Sequence, residues 1–159
     1  MSLSSVKEYL GKYSLDDRII TFDVSSATVD LAAQALGVEG ARIAKTLSFD
    51  VDGECVLVVA AGDAKVDNSK FKAFFHKKAT MLPHDKVEEM TGHPVGGVCP
   101  FGVKEGVRIY LDISLKRFDI VYPAAGTASS AVKLTVDELY KASGALDYID
   151  VCKCWQTEE

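Results

Sequence analysis

Lys45 is the first residue whose setting suggests chemistry. It stands in Arg42-Ile43-Ala44-Lys45-Thr46-Leu47, where an almost wholly apolar strand pair begins. Such a lysine is either an edge residue that keeps its ammonium in water above an apolar stem, or a cation aimed into a cleft. The second setting is the loop Gly92-His93-Pro94-Val95-Gly96-Gly97-Val98-Cys99-Pro100-Phe101-Gly102, with four glycines and two prolines in eleven positions. Without side chains, Gly96 and Gly97 let the backbone come close to a ligand. Their N–H groups suit a carbonyl oxygen or an oxyanion. The other reading is a compact structural loop. A third setting, Tyr122-Pro123-Ala124-Ala125-Gly126-Thr127-Ala128-Ser129-Ser130, is small and polar enough to line a shallow pocket. Ser129 and Ser130 carry nucleophilic hydroxyls, but neither has a visible base partner, and a turn explains them more simply.

Familiar enzyme signatures are missing. The chain has no G-x-S-x-G elbow, phosphate-binding Gly-Lys loop, H-E-x-x-H or dinucleotide fingerprint. His76, His84 and His93 do not form a zinc spacing with Cys55, Cys99, Cys152 and Cys154. No metal and no cofactor is expected. Cys55 reads as core, and Cys152 and Cys154 as residues on one side of a strand, all reduced.

The elements that must hold these groups are legible in outline. Residues 4–13 read as an amphipathic helix, with Val6, Tyr9, Leu10 and Tyr13 on one face. Ile19 to Phe22 is a short strand. Thr28 caps a helix that runs to Leu36 and stops at Gly37. Lys45 to Phe49 and Glu54 to Ala60 are strands joined at Asp52-Gly53, a strong hairpin signal. Asp67 caps a helix to about Phe75. A short strand near Ala79 to Leu82 precedes a helix over Pro83 to Met90, with Gly92 after its end. Arg108 to Ile113, Phe118 to Tyr122 and Ala131 to Leu134 read as strands. Thr135-Val136-Asp137-Glu138 is a capping box for a helix ending near Ser143-Gly144. The pattern predicts one α/β (α+β) domain over residues 1–159, a mixed sheet curled around a core and not a regular βαβ repeat.

At 159 residues and 48% hydrophobic, the chain can build one core and is too apolar for disorder. It has no apolar run near the roughly 18 residues of a membrane span, and its N-terminus reads as a helix start with no secretory core. A cytoplasmic protein with no membrane partner is expected. A net charge of −5 argues against a nonspecific duplex binder and so against DNA, but not against contact with an RNA end. Lys65, Lys70, Lys72, Lys77 and Lys78 are opposed only by Asp67. They are either a solvated helix face or a local phosphate-docking patch.

Taken together, these segments resemble the YbaK family, which includes the bacterial prolyl-tRNA synthetase editing domain and its free-standing relatives. The matching pieces are residues 28–38, Ile43-Ala44-Lys45-Thr46-Leu47, residues 56–63, residues 91–102, and Gly126 before Val132-Lys133-Leu134. They cover most of the chain in the family order. The Ala-Lys-Thr-Leu segment and the Gly-Gly-Val-x-Pro-Phe-Gly loop are the specific parts. The resemblance implies a curled, partly barrel-like mixed sheet with surrounding helices. It also implies trans-editing hydrolysis of the ester that joins an amino acid to the tRNA 3′ end.

On this resemblance Lys45 falls on the family's essential lysine, and the cleft reading of it is preferred. Gly96 and Gly97 fall on the loop around the aminoacyl group, giving Lys45, Gly96 and Gly97 as catalytic candidates. Phe22, Thr28, Thr46, Val98, Cys99, Pro100, Phe101, Gly126, Thr127 and Ser129 are the substrate-binding candidates. Lys70, Lys72, Lys77 and Lys78 are the tRNA-contact candidates. The expected partners are the tRNA acceptor end and an aminoacyl-tRNA synthetase. The family needs no protein nucleophile, because a bound water or a substrate thiol can attack the ester, so positioning and electrostatics carry the rate. Three positions depart from the family. Ala131 stands about where cysteinyl-specific members have an acidic residue, no histidine occupies the region where synthetase-borne domains have one, and Cys99 replaces a serine. These changes fall on the pocket wall and leave substrate identity open. The mostly small lining points to Ala, Ser, Cys or Thr, on tRNA-Pro or a related tRNA. A non-catalytic module that binds aminoacyl-tRNA or a synthetase, and a hydrolase of small aminoacyl esters, are the competing readings.

Overall fold

The computed structural model describes residues 2–23 and 28–155. In chain order its elements are α1 (Ser2–Gly11), β1 (Ile19–Thr21), α2 (Val29–Leu36), β2 (Ile43–Val51), β3 (Glu54–Ala61), β4 (Lys65–Val66), α3 (Asn68–Phe75) and α4 (His84–Thr91). They continue with β5 (Arg108–Asp112), β6 (Ile120–Pro123), β7 (Ser130–Val132), β8 (Leu134–Thr135), α5 (Val136–Ser143), β9 (Tyr148–Ile149) and β10 (Cys152–Lys153).

The β2–β3 hairpin is the centre. Asp52 and Gly53 turn it with φ of 56° and 83°, the left-handed pair that a two-residue turn between twisted strands requires. β3 is buried from Cys55 to Ala61, so the sheet must be covered on both faces. Val59 and Ala61 enter a core with Val6, Leu10, Phe101 and Leu139, while Val56, Val58 and Ala60 enter a second with Phe49, Phe71 and Ile149. The six-stranded sheet has the order β8-β6-β2-β3-β5-β9. Its β2–β6, β3–β5 and β5–β9 pairs are parallel, and β2–β3 and β6–β8 antiparallel. Beyond β6, an Ala124–Ala131 bridge leads into the β1–β7 ribbon, and this curls the sheet edge over. Among the described residues a mixed, curled, half-barrel sheet is surrounded by five α-helices, the fold that the pattern predicts and the resemblance implies.

The helix ends follow their local chemistry. Thr28 Oγ1 accepts the Leu31 N–H at 3.1 Å, and Gly37 closes α2 at φ 70°. Asp67 caps α3 through the N–H groups of Ser69 and Lys70. Both halves of the Thr135–Glu138 capping box form. Three expectations change. The strand near Ala79 to Leu82 is only a bridge, Phe49 to Met81. Beyond α5 the chain forms two short strands, β9 along β5 and β10 along β4. Cys154 does not share a strand face with Cys152, because the strand ends at Lys153 and Cys154 turns out at φ 69°, exposed where Cys152 is buried. All four cysteines are free thiols. Among the described residues no helix is long and apolar enough to cross a membrane.

Candidate functional site

Among the described residues β2 is paired on its outer side in two places. β6 joins it at Ile43 and Ala44, and the Thr80–Leu82 segment joins it further on. The gap between them opens on a cleft of about 340 Å³. Its floor is β2 from Ile43 to Ser48. One wall is α2, through Val29 and Ala32 behind the Thr28 cap. Another comes from the Met81–Val87 region, and the glycine loop adds Val95, Gly96 and Val98. Tyr122, Ala124, Ser130 and Ala131 close it from β6 and β7. The lining is mainly apolar in area, with polar groups of Thr28, Lys45, Thr46, Ser48, His84, Tyr122 and Ser130 set into it.

Lys45 lies on this floor, half-buried. Its Nζ donates to the carbonyl of Gly62 at 3.3 Å and to that of Ala64. Among the described residues these two carbonyls take two of its three donors. Burial pushes its pKa below the usual lysine value, because desolvation penalises the charged form. The carbonyl turn that holds it is itself pinned. A Cβ on Gly62 would stand 2.0 Å from the Gly40 carbonyl oxygen. Asp63 accepts from both terminal guanidinium nitrogens of Arg117, at 2.6 and 3.0 Å. Arg117 stacks between Phe118 and Trp155. Thr46 also lines the cleft, and its hydroxyl oxygen is buried without a hydrogen-bond partner among the described residues.

The structure brings only some of the expected residues to the cleft. Thr28, Lys45, Thr46, Gly96 and Val98 line it. Gly97 does not present its N–H to a ligand: the N–H bonds to the Pro94 carbonyl at 2.9 Å. Its lack of a side chain serves the meeting of the two loops, since a Cβ would lie 2.7 Å from Thr127. Cys99 and Phe101 are fully buried in the core with Val6 and Leu10, and Pro100 is buried beside them. The thiol of Cys99 is pushed up to about 12 by burial. It stands 3.6 Å from His93 Nε2, which lies 2.7 Å from the Phe101 carbonyl. Burial lowers the His93 pKa, and the residue braces the loop from inside.

Gly126 is buried at φ 96°, behind the cleft wall. Thr127 binds Ser130 Oγ at 2.7 Å and the Ser129 N–H. The Ser129 carbonyl accepts the Phe22 N–H at 2.9 Å. Thus Gly126, Thr127, Ser129 and Phe22 frame the wall and do not line the cleft, and Ala125 lies in the core. Sequence reasoning missed Val29, Ala32, His84, Val87, Val95 and Tyr122. Val29, Ala32, Val87 and Tyr122 had a helix-face or strand signal that reads as core, Val95 lay in the glycine loop without a signal of its own, and His84 had none.

The lysine stretch divides. Lys70 pairs with Asp150 at 3.0 Å and with the Cys152 carbonyl, which ties α3 to the C-terminal strand. Lys77 pairs with Asp52 at 3.0 Å. Lys72 and Lys78 are exposed. Among the described residues no three metal-ligating side chains gather.

Residues 24–142 match the family model of the aminoacyl-tRNA editing domain. YwhH, an uncharacterized protein of Bacillus subtilis, is 48% identical over 98% of this chain and 100% of its own length. The proline–tRNA ligase of Citrifermentans bemidjiense is 28% identical over 78% of this chain, which corresponds to 22% of the ligase. A solved structure of a candidate trans-editing enzyme for prolyl-tRNA synthetase superposes with a TM-score of 0.87 at 27% identity, covering 96% of this chain and 97% of that one.

Proposed function

Given that the chain belongs to the aminoacyl-tRNA editing domain family, we propose that it is a trans-editing deacylase. It hydrolyses the ester of a tRNA mischarged with a small amino acid, Ala, Ser, Cys or Thr, on tRNA-Pro or a related tRNA. One observation carries this reading: Lys45, whose half-buried ammonium is held by the Gly62 and Ala64 carbonyls, and Gly96 line the same mainly apolar cleft. A water adds to the acyl carbon, the bond from that carbon to the ribose oxygen breaks, and the oxygen leaves with a proton. The remaining Lys45 N–H orients the ester or the terminal phosphate. The Gly96 N–H, at φ 92° and without a backbone partner among the described residues, faces the oxygen that gains charge. No side-chain nucleophile is used. Ser130 is 2% exposed with its hydroxyl bound to Thr127, and the cleft can lower the barrier by holding water and ester together.

Ala32, Ala44, Ala124 and Ala131 keep parts of the wall short. Apolar walls separate substrates by only about 1–3 kcal/mol per methylene, so activity should overlap among a few small residues. The test is a panel of tRNAs mischarged with Ala, Ser, Cys, Thr, Phe and Asp, with free aminoacyl esters beside them. Hydrolysis of the small set above background supports the reading, and hydrolysis of none of them refutes it.

A further inference from the structure

The gap in β2 pairing has a polarity that can be worked out. Asp50 donates its N–H to the Thr80 carbonyl, and the Ser48 carbonyl accepts from Leu82. The main-chain groups of Ser48 and Asp50 therefore point away from β3. Strand groups alternate sides, so those of Thr46 point the same way. β6 reaches only Ile43 and Ala44. Among the described residues nothing pairs with the Thr46 N–H and C=O on that side, and Thr46 is part of the cleft floor. One donor and one acceptor of an open strand edge thus face a cleft that is otherwise mostly apolar.

An α-aminoacyl ester has the same N–Cα–C=O skeleton as a strand residue. Opposite Thr46 it can exchange both bonds, as the two residues of a hydrogen-bonded antiparallel pair do. Its ammonium, brought among apolar walls, needs an acceptor there. We propose that the open edge of β2 at Thr46 binds the substrate's own α-amino group and ester carbonyl, as a strand addition one residue long. This rests on the deacylase reading and sharpens its substrate class. The enzyme requires a free α-amine and spares α-amino-blocked chains such as peptidyl-tRNA. The pairing also sets the acyl carbon at a fixed place along β2, beside Lys45.

The test uses the full chain and one tRNA carrying three acyl groups: alanyl, its deaminated counterpart propionyl, and N-acetylalanyl. Each rate is divided by the spontaneous hydrolysis of the same ester, since the ammonium activates the ester by itself. Loss of a charge-assisted hydrogen bond should lower the propionyl enhancement by about tenfold to a hundredfold. N-acetylalanyl should fall at least as far. A propionyl enhancement within about threefold of the alanyl value overturns the proposal while leaving the deacylase reading intact. If no free-amine ester in the panel is hydrolysed, the deacylase reading fails and this inference falls with it.

Discussion

Replacing Gly97 by alanine should cost stability through one identifiable collision. A Cβ built on Gly97 lies 2.7 Å from both Cα and N of Thr127 and 2.8 Å from the Gly126 carbonyl carbon. Non-bonded carbons sit best at about 3.5–4.0 Å, so the two loops must part by about 0.8 Å. All three atoms are backbone, and no side chain can rotate aside. Gly126 is buried, and Thr127 is tied to Ser129 and Ser130, which limits the retreat. Overpacking of this kind costs about 1–3 kcal/mol, and the rigidity here argues for the upper end. At about 2–4 °C per kcal/mol for a chain of this size, melting should fall by about 6–12 °C. Gly106→Ala is the control. Its φ of 92° strains any side chain, but nothing stands within 4 Å of the added carbon, so it reports backbone strain alone, about 1–2 kcal/mol. Thermal melts followed by circular dichroism give both values. If Gly97→Ala melts as high as Gly106→Ala, the close contact between the two loops does not limit stability.

Lys45→Ala should abolish deacylation and lower stability by about 1–2 kcal/mol, since two carbonyls lose a charged donor, with chemical denaturation as the check. Thr46→Val replaces an oxygen that is buried without a partner by a methyl group; stability should hold or rise by about 1 kcal/mol, and a clear loss in urea melts would contradict the unpaired hydroxyl. Lys72→Glu with Lys78→Glu should raise KM for tRNA with kcat nearly kept and flatten the salt dependence of binding by about two units of slope; normal tRNA binding across salt would leave the patch a solvated helix face. Arg18 holds the Glu138 carboxyl below the usual carboxylate range. A depressed folded-state pKa adds stability that is complete above the unfolded value and lost as pH falls through the folded one, so Glu138→Gln should weaken the protein at neutral pH and bring it level with the wild type in acid.

Much of the fold was legible because its signals are local. The Asp52-Gly53 turn, the Thr28, Asp67 and Thr135 caps and the glycines that end α2 and α4 each act within a few residues. They appear where the sequence puts them. The strand at Ala79 to Leu82 failed for the opposite reason. Its apolar residues suit a strand, but a strand exists only through pairing. Among the described residues its pairing with β2 is a single bridge at Phe49 and Met81, made by two hydrogen bonds, Asp50 to Thr80 and Leu82 to Ser48. β9 was illegible because a two-residue strand carries no pattern, and β10 was read as a strand but carried one residue too far, through Cys154.

By itself the sequence determined which local structures form and which unusual residues, Lys45 and the glycine loop above all, had to be explained. Only the tertiary structure decided what each of them faces. The two carbonyls that hold Lys45 lie 17 and 19 residues along the chain. Gly97 touches Thr127 from another loop. Cys99 and Phe101 turn into the core, although their neighbours Gly96 and Val98 line the cleft. A cleft is built from elements far apart in sequence. Which side of a loop residue meets it depends on packing that no short-range propensity encodes.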